Sequence, residues 1–377
     1  MNRFFIPRRP VGHLLLAGLL LGGGPFVAAA QAPALTASSP GRNAIAAPRG
    51  ASVALTFSQR ISVATAGNVR VFSGQRGGQL VRNGGGTLSG GGTNTLTLDP
   101  VSDFRPNELV QVSVPGTLRS VGGTAVRPTV YQFTAAVGGT GTGTLVPAPT
   151  TPAPGVGLEP QGVTAGDVDG DGDLDFLTAN ATANTVSIRL NDGNGAFTAL
   201  ASVPDVAVGS GPSSVVLGDL DADGDLDLVA LVPSTAGGGV LHVQLNDGTS
   251  QFRPDTVLGQ QPGGSDVTLG DLDGDGDLDI LTAALSSGSR NQVSVLRNDG
   301  QARFQVSGSV FLSDYALSVR VGDVDADGDL DLLAVSTSLL TPFNVCLNDG
   351  TGQFGLPVAM TVLAGEKLEL GDVDGDL

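Results

Sequence analysis

Four times the chain places an aspartate on every second residue across nine positions, and the four runs start 52 residues apart, at Asp167, Asp219, Asp271 and Asp323. The first reads Asp167-Val168-Asp169-Gly170-Asp171-Gly172-Asp173-Leu174-Asp175. Five carboxylates held so close repel one another unless a cation sits among them. A fixed period of this size also marks an array of one small unit, each burying its apolar faces against its neighbours. The runs therefore constrain both the architecture, a repeat fold, and a ligand, a divalent cation.

Strand signals recur around each run in the same order. A short alternating segment leads in, with Val163 and Ala165, Val215 and Leu217, Val267 and Leu269, and Val319 and Val321 at equivalent places. A more apolar strand follows, marked by Phe176-Leu177, Leu228-Val229, Ile280-Leu281 and Leu332-Leu333. A third ends in Asn191-Asp192-Gly193, Asn246-Asp247-Gly248, Asn298-Asp299-Gly300 or Asn348-Asp349-Gly350, residues that tolerate the positive φ of a hairpin. Phe197, Phe252, Phe304 and Phe354 come next at near-constant distance and are expected to open a fourth strand. Four antiparallel strands in roughly 50 residues predict one blade of a β-propeller.

The acidic runs have the chemistry of a calcium loop. Calcium takes six to eight oxygens in a flexible shell, so a loop must curl around it. Side chains at positions one, three, five and nine can point inward, glycine at six allows the turn, and the carbonyl at seven adds an oxygen. The assignment gives Asp167, Asp169, Asp171 and Asp175 with Asp173 at seven, then Asp219, Asp221, Asp223 and Asp227 with Asp225. The third and fourth loops give Asp271, Asp273, Asp275 and Asp279 with Asp277, and Asp323, Asp325, Asp327 and Asp331 with Asp329. About four Ca²⁺ ions are expected. An EF-hand is excluded, because position twelve is Thr178, Ala230, Thr282 or Ala334 where a bidentate acid is needed, and the flanks are strands. Magnesium, which prefers a small rigid octahedron and keeps its waters, fits less well.

Residues 159–377 resemble FG-GAP or VCBS repeats, the calcium-loop blades also found in integrin α chains. The motif Gly-Asp-x-Asp-x-Asp-Gly-Asp-Leu-Asp, followed by Asn-Asp-Gly and a phenylalanine, carries the resemblance. The family places its metal loop between the first two strands of a blade, on one face, and commonly binds partners on the opposite face. Loops between the second and third strands emerge there, and here they vary: Ala179 to Thr185, Leu231 to Gly239, Ala284 to Gln292, and Val335 to Phe343. Variable loops on a rigid scaffold are the expected partner surface. A fifth motif, Gly371-Asp372-Val373-Asp374-Gly375-Asp376, stops at Leu377. Family propellers commonly have about seven blades, so four to five blades imply a truncated repeat region.

The N-terminal half is different. Arg3, Arg8 and Arg9 precede an apolar stretch from Leu14 toward Val27, with small residues Ala28, Ala29, Ala30 and Ala32 beyond, which predicts a secretory signal over 1–32. A retained anchor is disfavoured by the short apolar core and its Gly22-Gly23-Gly24-Pro25 interruption. Residues 34–137 show short alternating strands between Gly-, Pro- and Asn-rich turns and predict an Ig-like β-sandwich. Ser39-Pro40-Gly41-Arg42-Asn43-Ala44, Leu55-Thr56-Phe57-Ser58, Leu96-Thr97-Leu98-Asp99-Pro100 and Tyr131-Gln132-Phe133-Thr134 resemble the bacterial Ig-like domains of the SbsA type, which act as spacers. Residues 138–158 read as a Gly/Thr/Pro linker.

Composition narrows the function. The formal charge is −18, and the runs hold 20 of the 37 acids, so the acidity sits in loops. There is no basic stripe to neutralise phosphates, and nucleic acid is not an expected partner. Cys346 is the one cysteine, so no internal disulfide forms. No further segment has the length of a membrane span. The sequence thus predicts a secreted or cell-surface bacterial calcium-binding propeller module. It would serve adhesion or contact with an extracellular protein or surface ligand, with calcium in a structural role. The alternative is the non-catalytic propeller region of a secreted polysaccharide- or lipid-acting enzyme. No catalytic constellation is found: His242 aligns with Ser187, Ser294 and Asn344 at a place expected to face solvent, and Cys346 aligns with Arg189, Gln244 and Leu296.

Overall fold

The computed structural model describes residues 31–44, 46–73, 77–80, 86–105, 108–136, 154–193, 195–199, 204–233, 239–253, 256–261, 264–283, 291–312, 314–325, 327–338, 342–360 and 367–368. The signal segment up to residue 30, most of the linker and the fifth aspartate motif lie outside these residues. So do parts of three of the four variable loops; Ala179 to Thr185 is described in full.

The N-terminal domain is a two-sheet sandwich of β1 (Leu35–Ser39), β2 (Val53–Phe57), β3 (Arg70–Ser73), β4 (Gly77–Gln79), β5 (Thr87–Ser89), β6 (Thr95–Asp99), β7 (Leu109–Val114) and β8 (Thr129–Thr134). One sheet orders β1-β2-β6-β5 and the other β4-β3-β7-β8. Period-two alternation builds the core between them. Val53, Leu55 and Phe57 of β2 and Leu96 and Leu98 of β6 turn inward to meet Val110 and Val112 of β7 and Tyr131 and Phe133 of β8. Phe104 meets Phe133 edge-on, with ring centroids 5.4 Å apart.

Behind it stand four antiparallel sheets that follow chain order, an arrangement of up-and-down blades. Blade one is β9 (Pro160–Gly166), β10 (Asp175–Asn180), β11 (Thr185–Asn191) and β12 (Phe197–Thr198), with β13 (Val206–Ala207) also pairing with β11. Blade two is β14 (Ser214–Gly218), β15 (Asp227–Val232), β16 (Gly239–Gln244) and β17 (Thr256–Gln261). Blade three is β18 (Asp266–Gly270), β19 (Asp279–Ala283), β20 (Gln292–Asn298) and β21 (Phe304–Phe311). Blade four is β22 (Ala316–Gly322), β23 (Asp331–Ser336), β24 (Phe343–Cys346) and β25 (Val358–Met360).

The second strand of a blade reads as a continuous apolar run because both its faces are covered. Leu228 and Ala230 pack toward blade one with Leu177, Ile188 and Val215. Val229 and Leu231, one residue out of phase, pack toward blade three with Val267 and Ile280. Leu281 and Ala283 repeat this against Val319, Leu332 and Ala334 of blade four. Among the described residues no blade precedes blade one, and Val163 on its first strand is 70 % exposed where Val215, Val267 and Val319 are buried. The propeller is therefore partial.

Two expectations need correction. Phe197 and Phe304 do open fourth strands, but Phe252 and Phe354 form isolated bridges to Asn246 and Asn348, and β17 and β25 begin several residues later. Pro254 and Pro357 follow those two phenylalanines, and a proline has no N–H for the ladder. His242 does not face solvent: it is 8 % exposed, and Ser187, Ser294 and Asn344 at the same place are also buried. These residues sit on the third strand, an inner strand of the sheet; those of blades two to four face the preceding blade, and Ser187 is covered by Gly157 and Asp205.

Candidate metal centres

Each acidic run joins the first and second strands of its blade, so the strand ladder fixes both of its ends. Gly166 pairs with Asp175, Gly218 with Asp227, Gly270 with Asp279 and Gly322 with Asp331. Between these ends the chain must turn sharply. The glycine at position six has φ of 101° in Gly172, 102° in Gly224, 100° in Gly276 and 102° in Gly328, a region that L side chains avoid.

The turn brings the carboxylates of positions one, three and nine together. Asp167, Asp169 and Asp175 have ligand oxygens within 4.8 Å of one another, and so do Asp219, Asp221 and Asp227; Asp271, Asp273 and Asp279; and Asp323, Asp325 and Asp331. Position five turns toward its own loop: the Oδ1 atoms of Asp171, Asp223, Asp275 and Asp327 accept the N–H of position seven at 2.9 to 3.1 Å. Position seven leans away, against the glycine of Asn-Asp-Gly. A Cβ on Gly193, Gly248, Gly300 or Gly350 would meet the carboxylate of Asp173, Asp225, Asp277 or Asp329 within 2.7 Å, and each of these glycines also has positive φ. The side chain of position seven is thus accounted for, leaving its carbonyl as the group it could lend.

Position nine is a buried staple. One oxygen of Asp175, Asp227, Asp279 and Asp331 accepts the N–H of Val168, Leu220, Leu272 or Val324 at 2.8 to 3.0 Å. The other accepts the N–H of Asn191, Asn246, Asn298 or Asn348 at 2.8 to 2.9 Å. The asparagine side chain then reaches two carbonyls. Asn246 Nδ2 donates to Leu226 of its own loop at 3.2 Å and to Val168 of the preceding blade's loop at 2.8 Å. Asn298 does the same to Leu278 and Leu220, and Asn348 to Leu330 and Leu272. The sequence marked these asparagines as turn residues; their role as ties between successive acidic loops comes from a span of 76 to 78 residues.

Burial leaves the carboxylates in need of a counter-charge. It pushes Asp227 and Asp279 up to about 8, Asp331 to about 7 and Asp175 to about 6, and neighbouring aspartates add to the rise. At position one, burial lifts Asp219 and Asp271 to about 7. Asp323 rises to about 6 and Asp167 also rises, each restrained by an arginine, Arg42 and Arg105 respectively. Buried oxygens that accept no hydrogen bond remain at Asp167 Oδ1, Asp221 Oδ1 and Asp273 Oδ1. An all-carboxylate set with bare, buried oxygens fits a hard, oxygen-seeking cation.

Three residues that sequence reasoning passed over lie against these loops. Arg105 Nη2 is 3.0 Å from Asp167 Oδ2 and also donates to the Gly172 carbonyl. Arg42 Nη1 is 2.6 Å from Asp323 Oδ2. The Ser113 hydroxyl donates to Asp271 Oδ2. All three belong to the sandwich, so the domain expected to be a spacer sits on the loop face. Backbone bonds Val130 N–H to Gly328 O (2.7 Å) and Gly116 N–H to Gly274 O (3.3 Å) seat it, with Phe72 and Val130 entering the inter-blade cores. No local pattern marks such contacts; Arg42 and Asp323 are 281 residues apart.

The other reactive groups are quiet. Cys346 is buried, and burial pushes its thiol up to about 12, so it stays protonated at neutral pH. Among the described residues no helix is long and apolar enough to cross a membrane.

This geometry defines an all-β protein in which an Ig-like sandwich is followed by blades carrying acidic loops. A profile of the FG-GAP-like repeat matches residues 167–230, 229–282 and 283–334, and a profile of a bacterial Ig-like domain matches residues 29–135. The chain thus carries a bacterial Ig-like domain followed by FG-GAP-like repeats. No curated protein matches it. Among solved structures it is similar to the N-terminal part of the bacterial S-layer protein SbsC at 13 % identity, covering 61 % of this chain and 44 % of that one, with a TM-score of 0.20. For the longer S-layer protein rSbsC(31-844) the values are 14 %, 89 %, 41 % and 0.21. A structural genomics protein of unknown function from Bacteroides thetaiotaomicron VPI-5482 gives 13 %, 85 %, 71 % and 0.30. The chain spans less than half the length of the S-layer chains it matches. TM-scores of this size do not define a shared arrangement.

Proposed function

We propose that the chain is a secreted or cell-surface, calcium-stabilised binding module that makes contact with an extracellular protein or surface ligand. One observation carries this reading: four equivalent loops each converge three carboxylates within 4.8 Å. Asp167, Asp169, Asp171 and Asp175, and their counterparts in the other loops, would hold one Ca²⁺ each, with the carbonyl of position seven. The ion supplies positive charge and oxygen coordination; it neutralises the cluster and fixes the loop between its two strands. Its role is structural, because the same loops are tied to one another through Asn246, Asn298 and Asn348. Extracellular modules bind calcium with Kd of roughly 10⁻⁴ to 10⁻³ M, which suits a chain that opens on a secretory-type segment. The loops between second and third strands, on the face opposite the metal loops, form the recognition surface. Thermal melting in calcium and in chelator, with metal content by mass spectrometry, tests the reading. About four ions per chain and a higher midpoint in calcium are expected, and superimposable melting curves would refute it.

A further inference from the structure

We propose that metal binding in the first and fourth loops is linked to the seating of the N-terminal sandwich, because two sandwich arginines pair with an aspartate that a metal ion would share. The inference rests on the calcium reading and adds a coupling to it. In loop one, Arg105 contacts Asp167 Oδ2 at 3.0 Å and also the carbonyl of Gly172; its side chain is 14 % exposed. In loop four, Arg42 contacts Asp323 Oδ2 at 2.6 Å, and that carboxylate is fully buried. The two arginines come from different turns of the sandwich yet meet the same position of two loops.

At position one the loops between them are built differently, although the sandwich's Arg70 lies beside Asp277 of loop three. Asp271 receives a neutral hydroxyl, from Ser113. Asp219 accepts the backbone N–H groups of Asp223 and Gly224 at 3.1 Å. Arg297 lies 3.3 Å from Asp273 in loop three, but it belongs to β20 and can swing away without moving a domain. A guanidinium carries a permanent charge and only donors, so it cannot leave by deprotonation; a metal ion taking Asp167 or Asp323 through Oδ2 displaces it, and one taking the other oxygen sits against its charge. Either way the ion weakens one of the contacts that seat the sandwich. Linkage is reciprocal: whatever factor docking takes from metal affinity in these loops, metal binding takes from docking.

Two classes of site follow, with loops one and four the weaker. Calorimetric titration of the full chain with Ca²⁺ should resolve them. In the double variant Arg42→Gln/Arg105→Gln, the weak class should tighten by about tenfold, the loss of a charge-assisted hydrogen bond per site. Amide exchange in the wild-type chain gives a second readout that needs no variant. The N–H groups of Gly116 and Val130, which bond across the interface, should exchange faster in saturating calcium, while those of the sandwich core keep their protection. Two classes together with faster exchange at Gly116 and Val130 support the proposal. Four equivalent sites in the wild-type chain, unchanged exchange at those amides, or weaker calcium binding in the variant would each overturn it and leave the calcium reading standing. Absence of calcium binding in both chains would overturn both.

Discussion

Ala222 occupies the fourth position of its loop with φ of 63°, where the first and third loops use Gly170 and Gly274 at 73° and 70°. A left-handed alanine costs roughly 1–2 kcal/mol, and glycine there gives back about 0.5–1 kcal/mol in chain entropy. Ala222→Gly should therefore stabilise the protein by about 0.5–1 kcal/mol in urea unfolding. The acidic loops also set a pH dependence. Asp227 and Asp279 are held near 8 and Asp219 and Asp271 near 7, above the unfolded carboxyl value of about 3.9. The folded state then keeps protons that the unfolded state has released, so stability falls as pH rises from about 4 through 7 to 8. In chelator the melting midpoint should drop across that window; in calcium, which requires the ionised form, the drop should shrink or reverse. A chelated protein that gains stability from pH 5 to 8 would contradict this account. Much of the residue-level pattern was legible. Glycine at position six and the alternating aspartates follow from what a curled loop needs, and those features are local. The seating of position-seven carboxylates against Gly193, Gly248, Gly300 and Gly350 was not, because it pairs two loops of a blade through space.

At the scale of the element, the blade is two hairpins whose joining turns have unequal tasks. The Asn-Asp-Gly turn was readable as a hairpin signal, and its glycines do take positive φ. Its asparagine does more, since Asn298 Nδ2 bonds Leu278 O at 3.1 Å and Leu220 O, in the loop before, at 2.7 Å. Asn191, in a blade with no predecessor, bonds Leu174 O alone among the described carbonyls, at 3.1 Å. Asn298→Ala strands two buried carbonyls and should cost about 2–4 kcal/mol, whereas Asn191→Ala should cost about half as much. Equal losses in urea unfolding would show that the tie between loops carries no weight. The strand assignments were legible where periodicity was clean. They failed at Phe252 and Phe354, which form isolated bridges and are followed within three residues of the sequence by a proline, a residue with no N–H for a ladder. His242 was misplaced for a related reason: alternation identifies two faces of a strand, but both faces of an inner strand between blades are covered.

At the scale of the molecule, the sandwich sits on the loop face of the partial propeller, so the acidic loops bear on both blade stacking and domain seating. Nothing in the sequence of either domain marks this contact, because it is made by single side chains and backbone groups on strands and turns far apart in the chain. On the calcium reading proposed above, the arrangement would make the ion a global determinant of stability. An ion that binds the folded chain with Kd near 10⁻⁴ M contributes about 2.7 kcal/mol for each loop at a hundredfold excess over Kd. Loop two, whose first aspartate takes backbone N–H groups and which holds Asp221 Oδ1 without a donor, should respond most directly. Asp219→Asn/Asp221→Asn removes two ligands there and leaves the other three loops intact. In 10 mM Ca²⁺ the variant should lose about 2–3 kcal/mol of the calcium-dependent stabilisation and bind one ion fewer. In chelator it should be as stable as the parent or slightly more so, because two crowded carboxylates become neutral. Losing stability equally in calcium and in chelator would mean that these aspartates hold the loop by hydrogen bonding alone, and that the ion has no part in keeping the blades together.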